Sequence, residues 1–132
     1  MVLIAAALIA CSAPAASPTP TAPPSGPPRV SSVVAIGDSI MVNFSRPMLQ
    51  MGEASGVEMR GNYQLDSRAL PQGAKIACRT SDCLDVAIAL PAGTLALGST
   101  HTLRIANVVA LSGPGISPDP TTMTFTVTAP RN

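Results

Sequence analysis

The chain has no Trp, one Tyr, two Phe and a single His, and only 11% of its 132 residues are charged. Each shortage removes a class of function. With almost no aromatic rings to stack on bases, and with 8 Lys and Arg set against 7 Asp and Glu, it offers no basic groove. No nucleic acid partner is expected. One His, three Cys and a few scattered carboxylates are too few to hold zinc or to support a serine triad. The aspartates, Asp38, Asp66, Asp82, Asp85 and Asp119, fall in no calcium-loop spacing. The composition therefore predicts no enzyme, no catalytic residue, no cofactor and no metal ligand. No apolar run approaches the roughly 20 residues needed to span a bilayer.

Ala and the aliphatics are abundant, and ten apolar residues, MVLIAAALIA, open the chain directly before Cys11. A stretch of that length suits the apolar part of a secretory signal. Leu8-Ile9-Ala10-Cys11 resembles a bacterial lipobox, in which the Cys is acylated and becomes the mature N-terminus. That resemblance implies lipidation at Cys11 and a membrane partner reached through the lipid. Met1 to Cys11 holds no Lys or Arg, unlike an ordinary positive signal start, so the true start is expected upstream. An ordinary cleaved signal, for instance after Ala15, and a chain that is not exported at all remain alternatives.

Setting Cys11 aside leaves Cys78 and Cys83, spaced C-x4-C around Arg79, Thr80, Ser81 and Asp82. A redox pair would be C-x-x-C and a metal site would need more ligands, so a short structural disulfide is the expectation. It would persist in an oxidising compartment. Two free thiols in a cytosolic protein are the other reading.

From Ser12 to Arg29 the chain carries seven of its fourteen prolines and no charge before Arg29. Such a segment cannot pack a core and favours polyproline II, reaching roughly 55 Å at full extension. The expected organisation is a signal with lipobox over 1–11, a Pro-rich linker over 12–29, one domain over 30–128 and a tail over 129–132. Within the domain, apolar and polar residues alternate in short runs bounded by Gly, Pro, Asn and Asp. Strands are predicted at Val30 to Ile36, Ser39 to Phe44, Tyr63 to Leu65, Lys75 to Arg79, Asp85 to Leu90, Thr100 to Val108 and Thr122 to Thr128. Pro47 to Gly52 has room for one helical turn. Seven or so antiparallel strands, each with one apolar face, bury those faces most economically in a two-sheet immunoglobulin-like β-sandwich, so the fold class is all-β.

Particular blocks sharpen this. Ile40-Met41-Val42-Asn43-Phe44-Ser45-Arg46-Pro47-Met48 resembles the I-x-V-x-F-S-x-P-M stretch of bacterial Ig-like domains of the SbsA type, found in S-layer and other surface proteins. Asn62-Tyr63-Gln64-Leu65, Leu95 to Ile105, and Val109 to Gly113 with Thr124-Phe125-Thr126 follow in the family's order. His101 stands where that pattern has Tyr, and Ala110 and Pro114 replace its usual Asp and Asn. The resemblance implies a non-catalytic, structural, adhesive or protein-binding module at the cell envelope, with an envelope protein or polysaccharide as partner.

Two sharper motifs compete with that reading. Val34-Ala35-Ile36-Gly37-Asp38-Ser39 resembles the nucleophile block of GDSL-type hydrolases, with Ser39 as nucleophile, but Gly98 stands three residues before His101, where such enzymes place an Asp. Gly37-Asp38 is more simply a hairpin turn. Met48, Met51 and Met59 could supply thioethers to Cu(I), as in a periplasmic CopC-like carrier, which is also a small sandwich, but the His ligands of such carriers are missing. Met more often fills gaps in cores. His101 is expected at a strand entry or facing solvent, and Tyr63 in the core. Any ligand specificity is expected in the connections Arg46 to Asn62 and Asp66 to Gly73.

Overall fold

The computed structural model describes residues 26–51 and 54–131. The signal, Cys11, the linker up to residue 25 and Gly52 lie outside the described residues. Eight strands follow in order: β1 (Val30–Ile36), β2 (Ser39–Phe44), β3 (Tyr63–Leu65), β4 (Arg68–Ala69), β5 (Lys75–Cys78), β6 (Asp85–Ala89), β7 (Thr100–Ile105) and β8 (Thr121–Thr128). They form one curled ladder in the order β4-β3-β7-β8-β1-β2-β6-β5. Folding this ladder at the junction of β1 and β8 brings two four-stranded halves together as a β-sandwich.

Alternation explains the packing. Ile40, Val42 and Phe44 of β2 are buried while Met41 and Asn43 are less so, and β6 repeats the pattern with Val86 and Ile88. Leu103 and Ile105 of β7 and Phe125 and Val127 of β8 meet them from the other half in a single core cluster. Tyr63 is buried there too, its hydroxyl donating to the Val57 carbonyl at 2.6 Å. Small aliphatics on both inner faces thus close a core that contains no Trp.

The structure corrects the expected elements in several places. The first and last strands pair in parallel, Ala35 with Val127 and Ile36 with Thr128, so the sandwich is not wholly antiparallel. A two-residue strand, β4, pairs with β3 across a tight turn at Asp66 and Ser67, both at positive φ. Pro47 to Met51 forms no helical turn: the Met48 N–H donates to the Asp82 carbonyl and Leu49 N–H to Val109, so these donors are spent across the molecule. The one helical turn among the described residues is a 3-10 turn at Arg60–Asn62.

Registers define two poles. Val30 pairs with Phe44, Asn43 with Asp85, and Tyr63 with Ile105, which pairs with Thr121, so all of these lie at the pole where the chain enters. Ile36, Ser39, Ala89, Lys75, Thr100 and Thr128 lie at the pole where β8 leaves. The Gly37-Asp38 turn sits at the exit pole, with Gly37 at φ 57° and its N–H on the Thr128 carbonyl.

Candidate functional site

The connections singled out from sequence leave opposite poles and meet at one point, where the Arg60 guanidinium donates to the Leu70 and Pro71 carbonyls. Arg46 to Asn62 joins the end of β2 to the start of β3 and lies at the entry pole, whereas Asp66 to Gly73 begins at the far end of β3, at the exit pole. The entry-pole connection is tied down from within: Asn62 donates its amide to the Ala54 and Gly56 carbonyls, and Glu58 accepts from Gln50 and from the Cys78 N–H. Gly56 is required there, because a Cβ would stand 2.6 Å from the Gln50 carbonyl oxygen.

Cys78 and Cys83 are joined by a disulfide at the same pole, closing the β5–β6 connection. Asp82 inside that loop accepts from the Thr80 hydroxyl at 2.7 Å and the Leu84 N–H at 3.1 Å, which together hold its carboxyl below the usual range. The thioethers are dispersed in environment: Met48 is buried in the core, while Met51 and Met59 are exposed. Among the described residues no three His, Cys, Asp or Glu side chains gather as they would around a metal.

Ser39 opens β2, opposite Ile36 on one side and Ala89 on the other, in the half of the sandwich that does not contain His101. Asp38 beside it is structural. Its carboxylate accepts the N–H groups of Leu95 and Gly93 at 2.8 and 2.9 Å, tying the β1–β2 turn to the 91–95 loop, and those donors depress its pKa. The hydrolase block is therefore a hairpin turn with an anchoring Asp.

Side-chain chemistry does gather at one place that spacing alone did not indicate. On β7 His101 is mostly buried, its ring stacked on Phe125 with centroids 5.9 Å apart. Its Nδ1 lies 2.6 Å from Asp66 Oδ2 and its Nε2 lies 2.7 Å from Ser99 Oγ. Asp66 Oδ1 also accepts the Thr102 N–H at 2.9 Å, and the His101 contact is the main reason its carboxyl sits below the usual range. Asp66 is brought in by the turn that follows β3. A shallow hollow of about 430 Å³ lies alongside, lined by Leu65, Arg68, Pro71 and Thr94 among others.

A Ser, His and Asp in line invite a catalytic reading, and the hydrogen bonding opposes it. The Ser99 hydroxyl donates to the Ala96 carbonyl, so its proton is directed away from the ring. Nearby backbone donors are engaged as well, Ser99 N–H with Ala96 and Gly98 N–H with Val127, leaving neither of them for an oxyanion. Three contacts run in line from the Ala96 carbonyl through Ser99 and His101 to Asp66. The cluster acts as a clamp between the start of β7 and the β3–β4 turn. Its signal in the sequence is the His at the strand entry combined with an Asp at a tight turn, 35 residues apart.

No family model matches the chain, and no curated protein matches it. Two solved structures resemble its fold. Surface layer protein SbsC, domains 1–6, superposes with a TM-score of 0.61 at 22% identity over 81% of this chain. The N-terminal part of the bacterial S-layer protein SbsC gives 0.61 at 24% identity over 79%. This chain spans only 14% and 24% of those two proteins, and the likeness is one of fold.

Proposed function

We propose that the chain is a non-catalytic, lipid-anchored Ig-like module of the bacterial cell envelope, related to SbsA-type domains, with a structural, adhesive or protein-binding role. The observation that carries this reading is the β-sandwich shared with a bacterial S-layer protein, joined in one sequence to Leu8-Ile9-Ala10-Cys11 and a Pro-rich spacer. The lipid on Cys11 holds the chain to the membrane, residues 12–29 set the domain off from it, and the sandwich meets an envelope protein or polysaccharide. The absence of a poised nucleophile at Ser99 supports a non-catalytic role. Labelling cells with tagged palmitate tests the anchor: the wild-type chain takes up label and fractionates with membranes, and Cys11→Ser does neither. An unlabelled wild type, or a labelled Cys11→Ser, overturns it.

A further inference from the structure

Beyond the ends of β2 and β7 the chain builds a small cap over the entry pole. Met48 bridges Ala110 in antiparallel fashion, with the Leu49 N–H on the Val109 carbonyl at 3.0 Å and the Leu111 N–H on the Pro47 carbonyl at 2.9 Å. The Val57 N–H on the Leu49 carbonyl and the Ile116 N–H on the Val108 carbonyl extend the cap on either side. Extended backbone sends alternate side chains to opposite faces. Met48, Val57, Val108, Ala110 and Ile116 accordingly point inward and belong to the core cluster. The residues between them turn the other way: Leu49 and Val109 are half-buried, Pro47 is exposed, and Met51 and Leu111 are 60% and 64% exposed. No charged residue occurs in 47–52 or in 105–118. A lone exposed aliphatic is ordinary, whereas several on one uncharged face mark a contact.

The chain arrives at this same face. The Arg46 guanidinium, at the border of the cap, donates to the Gly26 carbonyl and, at 2.9 Å, to the Ser112 hydroxyl, so the first described residue is fastened beside Leu111. Pro28 is buried and its carbonyl accepts the Ser117 N–H. Only residues 12–25 separate Gly26 from Cys11, a reach of about 43 Å in polyproline II. A lipid on Cys11 therefore keeps the cap near the bilayer at an effective concentration on the order of millimolar. At that concentration a contact too weak to hold a free protein is populated.

We propose that the outer face of this cap is a membrane-contacting surface, through which Leu49, Met51, Val109 and Leu111 enter the interfacial region of a phospholipid bilayer. Burying this face takes no charge out of water, which is the usual obstacle to such a contact. The apolar side chains leave water and the polar end of the spacer stays in it. The spacer then limits how far the domain can swing away, and the cap is the face it sets down. The proposal rests on the reading of Cys11 as the anchored residue, and its test supplies the anchor chemically so that the two can fail separately.

The disulfide occupies Cys78 and Cys83, so in the full chain Cys11 is the one free thiol. It is coupled to a maleimide-bearing phospholipid in vesicles of phosphatidylcholine and phosphatidylglycerol brominated on the acyl chains. The sequence has no Trp, so Leu111→Trp and, near the opposite pole, the equally exposed Leu97→Trp are single fluorescent reporters. Leu111→Trp loses about half or more of its emission to the bromolipid, and Leu97→Trp keeps its own. Adding Met51→Glu to Leu111→Trp restores the emission. Quenching intact in a chain that takes up no palmitate in cells keeps the surface and removes only the anchor. Equal quenching at both positions, or none in Leu111→Trp, overturns the proposal. So does Leu111→Trp emission that follows protein concentration and not bromolipid, which assigns the face to a second copy of the chain.

Discussion

Single side chains in this sandwich mostly tie loops to strands. Asp38, Asp66 and Asp82 each collect two or more donors, and each carboxyl is held below its ordinary pKa. For groups depressed in the folded state, the unfolded chain takes up protons first. Their contribution is complete above the unfolded carboxylate range near about pH 4 and is lost as pH falls through the folded values. Urea unfolding followed from pH 6 to pH 2 is expected to show a midpoint that declines below about pH 4. Asp66→Asn flattens that decline, and an unchanged slope refutes the assignment. Tyr63 is a neutral counterpart, its hydroxyl pushed far above the phenol range by burial and further by Glu58. Tyr63→Phe leaves the buried Val57 carbonyl without this donor and is expected to cost about 1–2 kcal/mol in the same unfolding experiment. Tyr63 was legible as a core residue from its place in a short apolar strand. The His101 clamp was not, because its partners come from a turn 35 residues away.

The strands themselves were readable wherever a period of two was unbroken, as in Ser39 to Phe44, where every expected inward residue is buried. They were less readable where the pattern runs past the pairing. The span expected from Thr100 to Val108 is too long: Val108 is out of phase with Leu103 and Ile105, and the strand stops at Ile105, with Asn107 turning the chain at positive φ. The outermost strand, β5, carries a device that no local pattern announces. Its Cys78 N–H, pointing away from β6, is covered by the Glu58 carboxylate at 2.9 Å. An uncovered edge donor invites pairing with another chain. Glu58→Ala is expected to lower stability by about 1–2 kcal/mol and to produce dimers and larger species in sedimentation velocity, with Glu58→Gln intermediate. A strictly monomeric Glu58→Ala would show that the edge is protected by other means.

At the scale of the whole molecule, composition and alternation lead to a sandwich, but not to its closure. Apolar faces say that two sheets must meet and are silent about which edges join, because a strand's side-chain pattern is the same whether its neighbour runs parallel or antiparallel. The parallel junction of β1 with β8 therefore emerges only in three dimensions. It has a mechanical consequence. Two neighbouring strands that run the same way, one leading the chain in at one pole and the other leading it out at the opposite pole, slide past each other when the ends are pulled. The Ala35–Val127 and Ile36–Thr128 pairs, with the Thr128 hydroxyl on the Ala35 carbonyl, are then loaded together in shear and not opened one at a time. Single-molecule pulling through handles at Gly26 and Arg131 is expected to need higher unfolding forces than pulling through Ile36 and Arg131, which peels the same pairs from one end. Equal forces would place the mechanical barrier elsewhere. In this shear geometry a module with so small a core resists tension along its axis through the location of a few hydrogen bonds, whatever its thermodynamic stability.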